Sequence, residues 1–223
     1  MRDEIRLAPG LLIAMPQLRD PNFEHAVVLM VEHEDAGSFG LVLNRPTNVR
    51  VSELLRSIDM EWTGREDETA WLGGPVQPET GWVLHEPIEG LEALGTRELV
   101  PGLHLTSAPS ALRELAKRPP RRIRFVMGYS GWEGGQLGRE LTEAAWIHSD
   151  VDADFVFDLP AEGLWSAAIR RLGLDAGVLA PAATDQRGSV MFQRSVTSRP
   201  ITIASVAITT DTLGSRSVNV SPT

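Results

Sequence analysis

Apolar positions in this 223-residue chain fall in short runs, and the period changes from run to run. Leu11–Met15 and Ala26–Val31 (AVVLMV) are almost unbroken apolar stretches, and Ala26–Val31 in particular has the pattern of a strand covered on both faces. Glu34-Asp35-Ala36-Gly37-Ser38 reads as a hairpin loop, with Phe39–Leu43 as its return strand. Val49–Ile58, preceded by Thr47-Asn48, predicts an amphipathic helix with Leu54, Leu55 and Ile58 on one side. Glu61–Thr69 is a charged loop. Ala70–Leu72 and Trp82–His85 read as strands flanking Gly73-Gly74-Pro75, and Leu103–Thr106 as another. Pro109–Lys117 predicts a helix capped by Ser107, with Leu112 and Leu115 inward and Pro119-Pro120 as its stop. Arg122–Met127 alternates polar and apolar, as a strand does. Gln136–Ala145 predicts a helix, Trp146–His148 and Phe155–Phe157 strands, and Leu164–Leu172 a last helix ending near Gly173. Short strands interleaved with short helices fit an α+β domain better than a doubly wound sheet.

Beyond residue 182 the pattern changes. Ser and Thr dominate, and Pro200–Thr210 (PITIASVAITT) is β-prone and carries no charge. The expected organisation is therefore one domain over residues 1–182 and a loosely ordered Ser/Thr-rich extension over 183–223. Charge divides at the same place. Residues 1–182 hold 17 Lys and Arg against 28 Asp and Glu, a net −11; residues 183–223 hold four Arg against two Asp, a net +2. An acidic body is a poor electrostatic match for a phosphate backbone, so direct nucleic-acid binding is not expected. The one basic cluster, Arg118 to Arg124 (RPPRRIR), leads into a strand and reads as a solvated edge. The absence of cysteine excludes disulfides, thiolate nucleophiles and Cys-ligated metals. No apolar run approaches the roughly 20 residues of a membrane span, and Met1–Arg6 lacks a signal-peptide core. A cytoplasmic location without membrane attachment is the expectation.

The densest chemical signal is Met127-Gly128-Tyr129-Ser130-Gly131-Trp132-Glu133-Gly134-Gly135-Gln136-Leu137. Four glycines between a strand-like and a helix-like run suggest special backbone angles or a close approach by another group. One reading is an anion or ligand nest at a helix start, with Tyr129 and Gln136 adding side-chain hydrogen bonds. The other is a tight strand–helix junction with Trp132 packed as its anchor; of the six tryptophans, read as core anchors, Trp132 is the one expected half exposed at a pocket. Gly128-x-Ser130 begins a nucleophile elbow, but Trp132 stands where its second glycine belongs. Gly73-Gly74-Pro75 is a turn or a pocket wall facing that segment. Asn44-Arg45-Pro46 ends a strand; Arg45 would bind a carboxylate or phosphate, or clamp Glu32 or Glu34 across the hairpin. Asp20, Glu32 and Glu34 are possible acid–base carboxylates. The histidines His25, His33, His85, His104 and His148 form no metal-binding spacing, so no metal or other cofactor is expected.

Taken in order, several segments resemble the AlgH/YqgE family of uncharacterised bacterial proteins. They are Leu12–Pro16 with Asp20–Phe23, Val31-Glu32-His33, Gly40–Pro46, Leu72–Pro75 and Gly81–His85. Gly128–Trp132 with Gly135–Leu137, Glu140 and Trp146 completes the set. Order and spacing agree over about residues 8–180, and the extension 183–223 has no counterpart. The resemblance implies an α+β fold with a bifurcated, largely antiparallel sheet curled into a pseudo-barrel with flanking helices. Some family members are labelled transcriptional regulators.

These readings lead to a non-catalytic binding module that holds a small ligand or a protein partner near the Gly-rich segments. The candidate ligand-binding residues are Asn44, Arg45, Gly73, Gly74, His85, Tyr129, Trp132 and Gln136. His85 is singled out among the histidines because it follows an apolar strand and precedes Glu86-Pro87. One alternative is a hydrolase or transferase using His85 and an acidic partner. Another is a transcriptional regulator acting indirectly rather than on DNA. Gly73–Pro75 and Gly128–Leu137 are expected to lie close together in the fold.

Overall fold

A computed structural model describes residues 6–175. The extension 183–223, and with it the expectation for Pro200–Thr210, lies outside the described residues. In chain order the elements are β1 (Gly10–Ala14), β2 (Val27–Glu34), β3 (Gly37–Val42), β4 (Pro46–Arg50), α1 (Val51–Arg56), β5 (Thr69–Leu72) and β6 (Val76–His85). A 3-10 turn, Glu92–Leu94, precedes β7 (Arg97–Val100), β8 (Leu103–Thr106), α2 (Pro109–Lys117), β9 (Ile123–Glu133), α3 (Gln136–Thr142), β10 (Trp146–Ser149), α4 (Ala153–Phe157) and α5 (Ala161–Arg171).

The unbroken apolar runs of β1 and β2 have a simple cause. Leu11, Ile13, Val27, Leu29 and Val31 face one core cluster, with α4 and α5 residues such as Phe155, Leu164 and Trp165. Leu12, Ala14, Val28 and Met30 face a second, with Trp132, Leu137 and Trp146. Both faces of these strands are covered, so both carry apolar side chains. A third cluster gathers α1 and α2 (Val51, Leu55, Leu115) over Val83 and Phe125.

The strands form one sheet in the order β10-β1-β2-β3-β9-β6-β8-β7, with β4 and β5 branching from β9. All pairings are antiparallel except β5 with β9. The branch point lies within β9. Val126 and Met127 pair with β5, whereas Ser130–Glu133 pair with β3. The sheet therefore bifurcates at Gly128. This is the α+β, bifurcated and curled antiparallel sheet that the resemblance implies, with five flanking helices among the described residues. No helix among the described residues is long and apolar enough to cross a membrane.

Four local expectations are corrected and one strand is added. The Gly-rich segment is mostly strand: β9 runs on to Glu133, and only Gly134-Gly135 form the turn. The helix expected over Val49–Ile58 begins at Val51, because Pro46–Arg50 pairs with β5 instead; Ile58 lies outside the helix and is 48% exposed. Phe155–Phe157 is helical, not a strand, since the Asp152 carboxylate accepts the Phe155 amide (2.8 Å) and starts α4. Ser107 does not cap α2; Ala108 occupies that position without a side-chain bond, and Pro109 supplies the helical φ. Arg97–Val100, unmarked by any apolar alternation, is the edge strand β7.

Candidate functional site

The structure brings Gly73–Pro75 and the Gly128–Leu137 segment together. The Gly73 amide donates to the Met127 carbonyl (2.8 Å), and its own carbonyl accepts the Ser130 hydroxyl (3.0 Å). The glycines are explained by this approach. A Cβ on Gly74 would lie 2.3 Å from the Tyr129 carbonyl carbon, and one on Gly128 would lie 2.6 Å from the Gly74 carbonyl oxygen. Neither chain could come so near with a side chain between them.

The junction is buried, however. Ser130 is fully buried and its hydroxyl is engaged by Gly73, so it is not a nucleophile poised at a surface. Tyr129 lies in the core against Phe39 and Trp82, and burial raises its phenol above the usual value. Trp132, expected half exposed, is only 4% exposed. Its indole donates to Glu140 (2.9 Å), as does that of Trp146 (2.8 Å), and the Gln136 amide donates to the other Glu140 oxygen (2.8 Å). Gln136 in turn accepts the Glu133 amide (3.0 Å). These bonds lock α3 onto β9 and β10. They occupy the Gln136 side chain and the Glu133 amide, two of the groups an anion nest would use.

The remaining candidates serve the backbone; Asn44-Arg45 adjoins the Gly73 segment, where the Leu72 amide donates to the Arg45 carbonyl (2.8 Å). Asn44 accepts the Val27 amide (3.0 Å) and donates to the His25 carbonyl (2.8 Å). Arg45 donates to the Glu24 and Asn44 carbonyls; it does not clamp Glu32 or Glu34. His85 sits at the far end of β6, fully buried, opposite His104 on β8. Their rings stack at 5.8 Å. His85 Nδ1 donates to the Glu86 carbonyl (2.8 Å), which leaves Nε2 as a lone-pair nitrogen without a partner; His104 Nδ1 is likewise unpartnered. Burial holds His85 below its usual range. The acidic partner that a His85-based hydrolase needs does not bond either ring nitrogen. No group of three or more His, Asp or Glu able to hold a metal occurs among the described residues.

An open cleft of about 650 Å³ lies at a different place. Its walls are the Arg6–Pro9 segment, Val31–Asp35 at the end of β2, and Arg97–Leu99 of β7. Arg97 spans it, donating to the Glu32 carboxylate (2.7 Å) and to the Val31 carbonyl (3.1 Å). His33 shares a hydrogen bond with Ser38 (2.7 Å). Glu34, Asp35 and Glu98 are exposed and enter no ion pair among the described residues. Sequence reasoning noted Glu32 and Glu34 only as carboxylates and missed Arg97. The available signal was Val31-Glu32-His33, a polar break directly after an unbroken apolar strand.

Comparison with known proteins agrees with the fold. A family model described as DUF179, AlgH-like, matches residues 11–177. A UPF0301 protein of Myxococcus xanthus is 41% identical over 174 residues, spanning 78% of this chain and 94% of that protein. One from Burkholderia vietnamiensis is 36% identical, spanning 81% and 96%. The solution structure of the AlgH protein from Pseudomonas aeruginosa superimposes with a TM-score of 0.66 at 36% identity, covering 83% of this chain and 98% of that one. A crystal structure from Corynebacterium diphtheriae shares the fold at 20% identity, with a TM-score of 0.63, covering 77% and 90%.

Proposed function

The chain belongs to the AlgH-like family, and from that premise we propose that it is a non-catalytic binding module whose ligand site is the cleft between β2 and β7. One observation carries this reading. The cleft brings charged side chains together with open volume and solvent, whereas the Ser130 hydroxyl is buried against the Gly73 carbonyl and His85 is fully buried, its unpartnered Nε2 closed off from solvent. A site that recognises needs accessible polar groups converging on a concavity. A site that catalyses needs a nucleophile or base within reach of its substrate. The reading moves the binding site away from the Gly-rich segments, whose role is to join two sheet branches. A regulatory role of such a module would be exercised through the bound ligand or partner rather than on DNA.

The test is a fragment screen on the isotope-labelled full-length protein, using small amines, carboxylates and phosphates followed by amide shifts. Perturbations are expected at residues 6–9, 31–35 and 97–99. Shifts confined to other surfaces would remove the basis of the proposal. So would steady turnover of ester or phosphoester substrates that His85→Gln abolishes.

A further inference from the structure

The cleft has the form of a missing strand. β1 begins at Gly10, opposite Met30, so among the described residues the flank of β2 beyond Met30 has no strand beside it. On the other side, β7 ends the sheet order and pairs only with β8. Two bare strand flanks therefore face each other across the curl of the sheet. Among the described residues no backbone hydrogen bond joins β2 to β7. Only the Arg97 side chain crosses, and it takes the Val31 carbonyl that a neighbouring strand would otherwise use. Unpaired strand flanks are templates for an added strand.

Charge selects the occupant. Among the described residues Glu34, Asp35 and Glu98 have no ion-pair partner; Arg97 is taken by Glu32, and Arg6, bonded to the Ala8 carbonyl (3.0 Å), is the remaining cation of the lining, so the rim stays acidic. An acidic rim beside open backbone flanks fits an extended cationic chain. We propose that this seam accepts one strand from a protein partner, an extended segment rich in Lys or Arg. The proposal rests on the reading of the cleft as the binding site and adds to it the class of partner. Backbone bonds to β7 and to the β2 flank provide the register, and the carboxylates select the sign of charge.

The probe is a synthetic peptide of about eight residues alternating Lys and Val, a usual strand length. It is added to the labelled full-length protein at two salt concentrations. Binding is expected to slow amide exchange at Val31–Glu34 and Arg97–Val100 and to weaken as salt rises. The Glu/Val counterpart is expected not to bind. N-methylation along one peptide edge, and separately the double variant Glu34→Lys with Glu98→Lys, are each expected to weaken binding at least about tenfold. Both positions are exposed and unpaired, so the variant keeps its fold. If spermine binds as well as the peptide, or N-methylation changes nothing, strand addition is wrong while the cleft remains a small-ligand site. Strand addition is equally wrong if fragments perturb the cleft and the peptide does not. If neither perturbs it, both proposals fall. A concentration-dependent dimer that protects the same amides would put a second copy in the seam and overturn the basic-partner proposal.

Discussion

Arg124 and His85 show what burial does to a titratable side chain. Arg124 is 6% exposed, and it donates to the Leu43 carbonyl (3.1 Å) and the Leu159 carbonyl (3.4 Å) while lying 4.2 Å over the Trp71 ring. Burial lowers its pKa to about 10, opposed by Glu68 and Asp158. It remains charged at neutral pH and ties three chain segments together. Arg124→Ala leaves a cavity and two unsatisfied carbonyls, so a loss of about 2–4 kcal/mol is expected in urea unfolding. His85 acts through pH. Burial, with His104 adding to it, keeps the folded pKa below 6.5, whereas the unfolded chain takes up its proton near 6.5. The neutral ring's contribution is therefore complete above that pH and is lost as pH falls from it toward the folded value. His148, also lowered by burial, acts in the same direction. The urea midpoint is expected to fall between about pH 7.5 and about pH 5.5, and His85→Gln to flatten part of that slope. An unchanged slope in the variant would show that other groups carry the dependence.

At the level of elements, β9 organises the molecule. Its first half serves β5 and β6, its second half serves β3, and the switch occurs where Gly73-Gly74 cross it. The glycines there answer to packing, not to flexibility. Gly74→Ala puts a methyl against the Tyr129 backbone, which belongs to a central strand and has nowhere to move. A cost of at least about 2 kcal/mol is expected. Gly138→Ala is the control: it lies within α3 with nothing inside 4 Å of a new Cβ, and should stabilise by about 0.5–1 kcal/mol. Thermal melts of the two variants should move in opposite directions. The glycine density was plain in the sequence, and so was the nearness of the two glycine segments. That the segment is strand was not, because the strand's pairing partners, β3 and β6, are distant in sequence.

For the whole molecule, the net charge of −9 and the fate of the basic cluster point the same way. Arg118 pairs with Glu114, Arg122 with Asp154 and Asp158, and Arg124 is interior, which leaves Arg121 as the one surface arginine of the four without an ion pair among the described residues. Duplex DNA is expected to bind no more tightly than roughly 10⁻⁴–10⁻⁶ M at physiological salt, measured by fluorescence anisotropy. A nanomolar, sequence-dependent complex would contradict this. We also propose that residues 1–182 fold without 183–223. Chemical melts of a 1–182 chain should agree with the full chain to within about 1 kcal/mol. A truncated chain that fails to melt cooperatively would assign the extension to the domain.

Apolar runs and turn residues were enough to place β1, β2, β3, β8 and α2, because their signals are local: a continuous buried stretch, a Gly-containing hairpin, a proline at each helix boundary. The ordered set of motifs was enough to identify the family. β5, β10, α3, α5, the end of β6 and the first half of β9 were legible too, and tertiary structure alone decided what remained. β4 and β7 are strands because a neighbour offers them hydrogen bonds, not because their side chains alternate. Tyr129, Trp132 and Ser130 are interior because two branches of one sheet close over them. The seam cleft depends on where β1 starts and where the curl brings β7, and the distance between two strand flanks is set by the path of the whole sheet. Residues 31 and 97 carry no mark in the chain that one will face the other.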